Sequence, residues 1–67
     1  MNESALRAEI ARKNYTIPTI ADAMGIGKKA MYAKMRGESQ FKQAEIKTLK
    51  SLLSLTDEQT IDIFFTE

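Results

Sequence analysis

The sequence contains no cysteine, no histidine and no tryptophan, and only one proline among its 67 residues. Without cysteine it can form no disulfide, and without cysteine or histidine it lacks the usual protein ligands of zinc. Apolar runs are only a few residues long, and polar residues follow Met1, so neither a membrane span nor a secretory signal peptide is predicted. The fold therefore has to be stabilised by packed apolar side chains or by a partner chain.

The length and the charge distribution indicate the number of domains and the kind of binding partner. A chain of this size is expected to form one domain, residues 1–67. Residues 1–56 hold ten bases and five acids, whereas residues 57–67 hold four acids and no base. A basic body suits a polyanion, and an acidic tail would point away from that polyanion or contact another molecule. A solvated surface with uneven charge is the alternative. We expect a soluble intracellular protein without metal or cofactor.

The spacing of apolar residues predicts four helices, over residues 3–13, 17–24, 28–36 and 42–53. Thr16 is suited to cap the second helix, and Pro18 fits its first turn, where a missing N–H costs nothing. Gly25 and Gly37 can adopt the left-handed backbone that ends the second and third helices. Met31 and Met35, four residues apart, are expected in the core.

Residues 56–59 have the pattern of a capping box, which predicts a fifth short helix beginning there. Its far end is ambiguous, because residues 61–65 alternate in polarity and are rich in isoleucine and phenylalanine, which suits an extended edge segment equally well. The whole chain is predicted to be an all-α bundle of about five short helices.

The second and third predicted helices are separated by a short turn that contains glycine, which is the general form of a helix-turn-helix. Ala21 lies on the face where the second helix would meet the third, and its small side chain would let the two helices pack closely. Gly25 allows the turn, Ile26 fills the angle between the helices, and Met31 anchors the third helix. In such a motif the third helix would be presented to the DNA major groove.

Small, glycine and apolar residues occur at fixed offsets across this motif: Ile20, Ala21, Asp22, Ala23, Met24, Gly25, Ile26, Gly27, Met31 and Gly37. This set resembles the helix-turn-helix of Cro and repressor proteins of temperate phages, with a lambda-repressor-like fold. Residues 6–13 and the pattern of Phe41, Glu45, Ile46 and Leu49 are similar to small Cro-like or anti-repressor proteins of phages of Gram-positive bacteria. The resemblance implies a transcription regulator of a lysogeny switch in the bacterial cytoplasm.

In this fold the first residues of the recognition helix lie near base edges, while surrounding groups hold phosphates. The resemblance implies that Lys28 and Lys29 reach bases and that Tyr32 contacts a thymine methyl group or a phosphate. The other candidates for DNA contact are Thr16, Thr19, Lys34, Arg36 and Lys42. The alternatives are that the two lysines are simply solvated and that Tyr32 packs partly on the core.

Few side chains of the recognition helix can nevertheless hydrogen-bond a base. Ile17 stands where many relatives have a glutamine that braces the first recognition residue, and Gly27 replaces the more common serine cap. Ala30 and Ala33 are too short to hydrogen-bond a base. This pattern implies either modest sequence specificity or a surface adapted to a protein partner.

Two functions are therefore expected in competition. The first is a dimeric regulator that binds operator DNA, with its dimer contact in the tail at Ile61, Ile63, Phe64 and Phe65; packing in the core is the alternative for the two phenylalanines. The second is an anti-repressor or co-repressor that binds the phage repressor. No enzyme is predicted, because catalysis would rest on scattered Asp, Glu, Lys and Tyr, without a suitable carboxylate pair or a glycine-rich phosphate loop.

Overall fold

The computed structural model describes residues 1–65 and contains five α-helices within them. These are α1 (Glu3–Arg12), α2 (Ile17–Met24), α3 (Lys28–Met35), α4 (Gln43–Leu52) and α5 (Asp57–Phe64). This part of the chain has no strand, which confirms the all-α prediction. None of its helices combines the length and the hydropathy that crossing a membrane requires. Thr66 and Glu67, the latter one of the four tail acids, lie outside the described residues.

The ambiguous tail is helical. Thr56 Oγ1 accepts a hydrogen bond from the Gln59 N–H at 3.0 Å, and Gln59 Oε1 accepts one from the Thr56 N–H at 2.9 Å, so the predicted capping box is present. One turn on, the Thr60 hydroxyl donates to the Thr56 carbonyl, and Thr60 and Ile63 are buried. Burial of this side of α5 outweighs the preference of isoleucine for strands.

The predicted bounds of α2 are confirmed, whereas α1, α3 and α4 each end one residue earlier than predicted and α4 begins one residue later. Thr16 caps α2, and Gly25 ends it with a φ of +73°. Gly37 has a φ of +82°, just beyond the end of α3. Asn14, between α1 and α2, is left-handed at a φ of +65°, a conformation that asparagine tolerates better than most residues. The first three connections between helices therefore each contain a residue suited to the left-handed backbone found there.

A single apolar core joins all five helices. Its members are at most 6% exposed: Leu6, Ile10, Ile20, Ala21, Met31, Met35, Leu49, Leu53, Leu55 and Ile63. The N-terminus is tied to α5 as well, because the Asn2 N–H donates to the Ile63 carbonyl at 2.7 Å. Met31 and Met35 are core residues, as predicted.

Helices α2 and α3 pack closely and form the helix-turn-helix. Ala21 is 2% exposed in this contact, and Met31 is fully buried. Ile26, in the turn, donates its N–H to the Ala21 carbonyl at 3.0 Å, and its side chain packs against the core. The fold predicted for residues 17–36 is confirmed, and α4 and α5 complete the bundle around it.

Candidate nucleic-acid interface

The outward face of α3 is defined by the side chains that α3 buries. Met31, Lys34 and Met35 point inward, and at 100° per residue the opposite side of the helix passes through positions 29, 32, 33 and 36. Lys29 and Arg36 are exposed, and Tyr32 is half-buried between them. We call Lys29, Tyr32 and Arg36 the α3 face. Three of the residues predicted to contact DNA therefore share one surface.

The start of α3 is electropositive. Gly27 precedes the helix and forms no side-chain cap, and no acid lies in the first turn. The first helical bond runs from the Met31 N–H to the Gly27 carbonyl at 3.0 Å. Within residues 1–65 the N–H groups of residues 28–30 have no acceptor, so the positive end of the helix dipole is uncompensated. The exposed Lys28 and Lys29 add full charges to it.

The first turn of α2 has few N–H groups left to donate to a phosphate. Thr16 Oγ1 accepts the Thr19 N–H at 3.2 Å, and Thr19 Oγ1 accepts the Thr16 N–H at 2.7 Å. Pro18 has no N–H, which leaves the Ile17 N–H as the donor for a ligand in this turn. Both threonine side chains are exposed but already serve as caps.

Lys34 does not lie where a phosphate contact would require it. The residue is 9% exposed, and its Nζ is 3.1 Å from Glu45 Oε1 and 3.2 Å from the Gln40 carbonyl oxygen. The Nζ also lies 6.0 Å from the centre of the Phe41 ring. The prediction for Lys34 is corrected accordingly: it is an internal cation, because its spacing of three residues from Met31 places it on the buried side of α3.

Glu45 was not among the predicted site residues, yet its carboxylate is central to this region. Its Oε1 accepts the Lys42 N–H at 2.8 Å as well as the bond from Lys34. Burial by itself would raise the pKa of Glu45, but the hydrogen bonds and charges of Lys42 and Lys34 outweigh it, so the pKa lies below its usual value. A sequence clue existed, since Glu45 stands at the third position of α4, where a capping-box acid is expected.

Arg36 and Lys42 border the segment between α3 and α4. Arg36 is exposed, but its Nε donates to Glu38 Oε2 at 2.5 Å. The hydrogen bond and the opposite charge raise the pKa of Arg36 and lower the pKa of Glu38. A phosphate at Arg36 would therefore compete with Glu38. Lys42 immediately precedes α4 and is exposed. Its main-chain N–H is held by the Glu45 carboxylate.

The four tail residues predicted as a partner contact divide into two pairs. Ile63 is 2% exposed and belongs to the core, and Phe64 is half-buried, edge-on to Phe41 with ring centres 5.5 Å apart. These two are corrected to internal packing. Ile61 on α5 and Phe65, the residue that caps its end, are 55% and 63% exposed and lie four residues apart. We call Ile61 and Phe65 the α5 strip.

An open groove of about 410 Å³ adjoins the strip, between the N-terminus, the α3–α4 segment and the end of α5. Its apolar lining consists of Met1, Phe41, Ile46, Phe64 and Phe65. The α5 strip thus continues into an accessible apolar surface away from the start of α3.

Comparison with family models, with curated proteins and with solved structures finds no match to this chain. The resemblance to phage regulators therefore stays a prediction from the sequence. Function has to be inferred from the surface of the helix-turn-helix itself.

Proposed function

We propose that the chain is a DNA-binding transcription regulator, Cro-like in its role, that places α3 in the major groove of operator DNA. The observation that carries the proposal is the α3 face beside an uncapped, acid-free helix start bearing Lys28 and Lys29. Free N–H groups, the helix dipole and two lysines together favour a phosphate backbone at this end of α3. The proposal involves neither catalysis nor a cofactor.

Each residue of the α3 face has a chemical role in this proposal. Lys29 can donate to guanine O6 and N7, and the Tyr32 ring can contact a thymine methyl group. Arg36 would bind a phosphate after leaving Glu38. Because Ala33 contributes no polar group to the same side, most of the affinity would come from phosphates and would depend strongly on salt.

Two copies of the chain are part of the proposal. A dimer that reads two half-sites places its recognition helices about 34 Å apart, one helical turn of DNA. One copy measures 27 × 25 × 21 Å, a size compatible with that spacing for two adjacent copies. The exposed α5 strip supplies an apolar contact that could be shared by both copies.

The test is a fluorescence-anisotropy titration of a DNA duplex long enough for two half-sites. We expect affinity to fall steeply between about 50 and 200 mM salt, and K28A/K29A to reduce the salt slope by about one for each phosphate that the variant no longer binds. R12A/K13A removes the same charge from exposed positions at the C-terminal end of α1 and should retain most of the affinity. Equal weakening in both double variants, or no salt-dependent binding by the unmodified chain, would exclude the proposal.

A second candidate function is supported by the α5 strip. Ile61 and Phe65 are exposed beside Glu58 and Asp62, an acidic and apolar surface that suits the basic DNA-binding face of another regulator. The chain would then act as an anti-repressor or co-repressor by binding a phage repressor.

Calorimetric titration with a repressor encoded beside the gene tests the second candidate. I61S/F65S should abolish binding, whereas K28A/K29A should leave it intact. A chain that binds operator DNA alone and shows no heat of binding with the repressor excludes this candidate.

A further inference from the structure

Lys34 and Glu45 form a largely buried ion pair between the last turn of α3 and the first turn of α4. Their side chains are 10% and 17% exposed. A buried ion pair is a weak source of stability, because the loss of hydration offsets most of the attraction between the charges. The neighbouring core is apolar, so packing alone would be served equally well by two apolar residues. The role of the pair is therefore sought in the main-chain groups that it holds in place.

The pair fixes the main chain of residues 40–42. Lys34 Nζ donates to the Gln40 carbonyl at 3.2 Å, and Glu45 accepts the Lys42 N–H at 2.8 Å. Between these two bonds the Phe41 ring packs on Phe64. Residues 37–39 are held to α3 separately, because the Glu38 N–H donates to the Ala33 carbonyl at 2.9 Å and the Gly37 N–H to the Lys34 carbonyl at 3.2 Å. The bonds of the Lys34 and Glu45 side chains therefore fix the part of the segment that leads into Lys42.

We propose that Lys34 and Glu45 are positioning residues for nucleic-acid binding, an assignment that rests on the proposed DNA-binding function. They hold Lys42 at a fixed place relative to the α3 face, so that Lys42 and α3 contact the phosphates of one duplex together. The pair acts through geometry, since its two charges cancel and little of either side chain is exposed. A preorganised contact binds more tightly because no loop entropy is lost on association.

The experiment compares the unmodified chain with K34M/E45M, with K42A and with the triple variant that combines them. K34M/E45M conserves net charge and puts an unbranched apolar side chain of similar length at both positions, and replacing a buried pair by apolar residues is often neutral for stability. K50M/D57M is the matched control, because it removes an exposed ion pair of the same charges between α4 and the start of α5. DNA affinity, its salt slope and the hydrogen exchange of the Lys42 amide are measured.

We expect K34M/E45M to bind DNA roughly 2- to 30-fold more weakly, with a salt slope lower by about one. Exchange of the Lys42 amide should accelerate in the same variant. In the K42A background the weakening caused by K34M/E45M should disappear, because the side chain that the pair positions is already absent. The control should bind within about twofold of the unmodified chain.

Unchanged affinity and slope in K34M/E45M would overturn the proposal, and so would an equal weakening with and without Lys42. If K34M/E45M does not fold, E45Q and E45A replace it: Gln keeps an oxygen for the Lys42 N–H, so E45Q should retain more affinity than E45A, and equal affinities overturn the proposal. Failure of the unmodified chain to bind DNA would instead remove the proposed function itself. That result is distinguishable, because the exchange of the Lys42 amide is measured without DNA.

Discussion

At the scale of single residues, burial separates cations that the sequence makes look alike. Lys28 and Lys29 are exposed at the start of α3, whereas Lys34, one and a half turns later, is internal and paired. Arg36 is exposed but shares its guanidinium with Glu38. The cations near α3 therefore differ in how readily they can reach a phosphate, and the acids beside them decide much of that difference.

Glu38→Gln is expected to tighten DNA binding about two- to fivefold. The change frees the Arg36 guanidinium and removes a negative charge from the edge of the proposed interface. Anisotropy titration at low salt measures the effect. Asp57→Asn, which breaks the exposed pair with Lys50 at the start of α5, is the control and should leave affinity unchanged. Weaker binding by Glu38→Gln would contradict a phosphate contact at Arg36.

Glu45 predicts a pH dependence of folding. Since its pKa is lower in the folded than in the unfolded chain, the unfolded state binds protons more readily. The stability contributed by Glu45 is complete above the ordinary glutamate pKa of about 4.3 and is lost as the pH falls through the lowered folded-state value. Urea unfolding should show a difference between the unmodified chain and Glu45→Gln that shrinks from about pH 7 to about pH 3. A difference that grows on acidification would mean that the pKa of Glu45 is raised, not lowered, in the folded chain.

At the scale of the elements, the turn between α2 and α3 depends on one backbone conformation. Gly25 has a φ of +73° with open space where a Cβ would lie, so a side chain there meets no atoms but has to adopt the left-handed region. Gly27 lies two residues later at a φ of −70°, also in open space. The two glycines of one turn therefore have different reasons to be present.

Gly25→Ala should lower the free energy of unfolding by about 1–2 kcal/mol. Gly27→Ala, in a conformation open to any residue, should change it by less than about 0.5 kcal/mol. Chemical denaturation of the two variants side by side measures the contrast. Equal effects would mean that the turn does not depend on the left-handed conformation of Gly25.

The N-terminal ends of α2 and α3 differ in a way that bears on binding. In α2 the hydroxyls of Thr16 and Thr19 close the first turn on itself, while α3 begins at Gly27 with its N–H groups open. The open end coincides with Lys28 and Lys29, which would repel the helix dipole in the free protein. An anion at that position relieves the repulsion, which is why α3 rather than α2 carries the proposed interface.

At the scale of the whole molecule, α5 both completes the core and leaves an apolar surface outside. Ile63 is buried against the core and Ile61, two residues earlier, is exposed. The same helix thus contributes to stability with one side and to a proposed protein contact with the other. Substitutions on the two sides should separate folding from assembly.

Ile63→Ala is expected to lower the free energy of unfolding by about 2–5 kcal/mol, because it opens a cavity in the core. Ile61→Ala should change that free energy by no more than about 0.5 kcal/mol and should reduce self-association or repressor binding instead. Thermal unfolding and analytical ultracentrifugation measure the two effects. A large destabilisation by Ile61→Ala would show that the α5 strip is part of the core.

Local sequence by itself determined helices α1 to α4, to within a residue at their ends, and the start of α5. Thr16, Gly25 and the capping box at Thr56 act through bonds and dihedral angles within a few residues, so their effects can be predicted without knowing the fold. The helix-turn-helix followed from the same local rules, together with small Ala21 at the helix contact.

Only the tertiary structure decided which side chains remain available to a partner. Its spacing from Met31 places Lys34 on the buried side of α3, but the Glu45 carboxylate that pairs with it comes from eleven residues later in the chain. Phe64 is half-buried because Phe41 lies beside it. The tail is helical, and Thr60 and Ile63 are buried on one side of that helix. Such outcomes depend on contacts between residues far apart in the chain, and the energy of burial that decides them is set by the packed surroundings rather than by the local residue pattern.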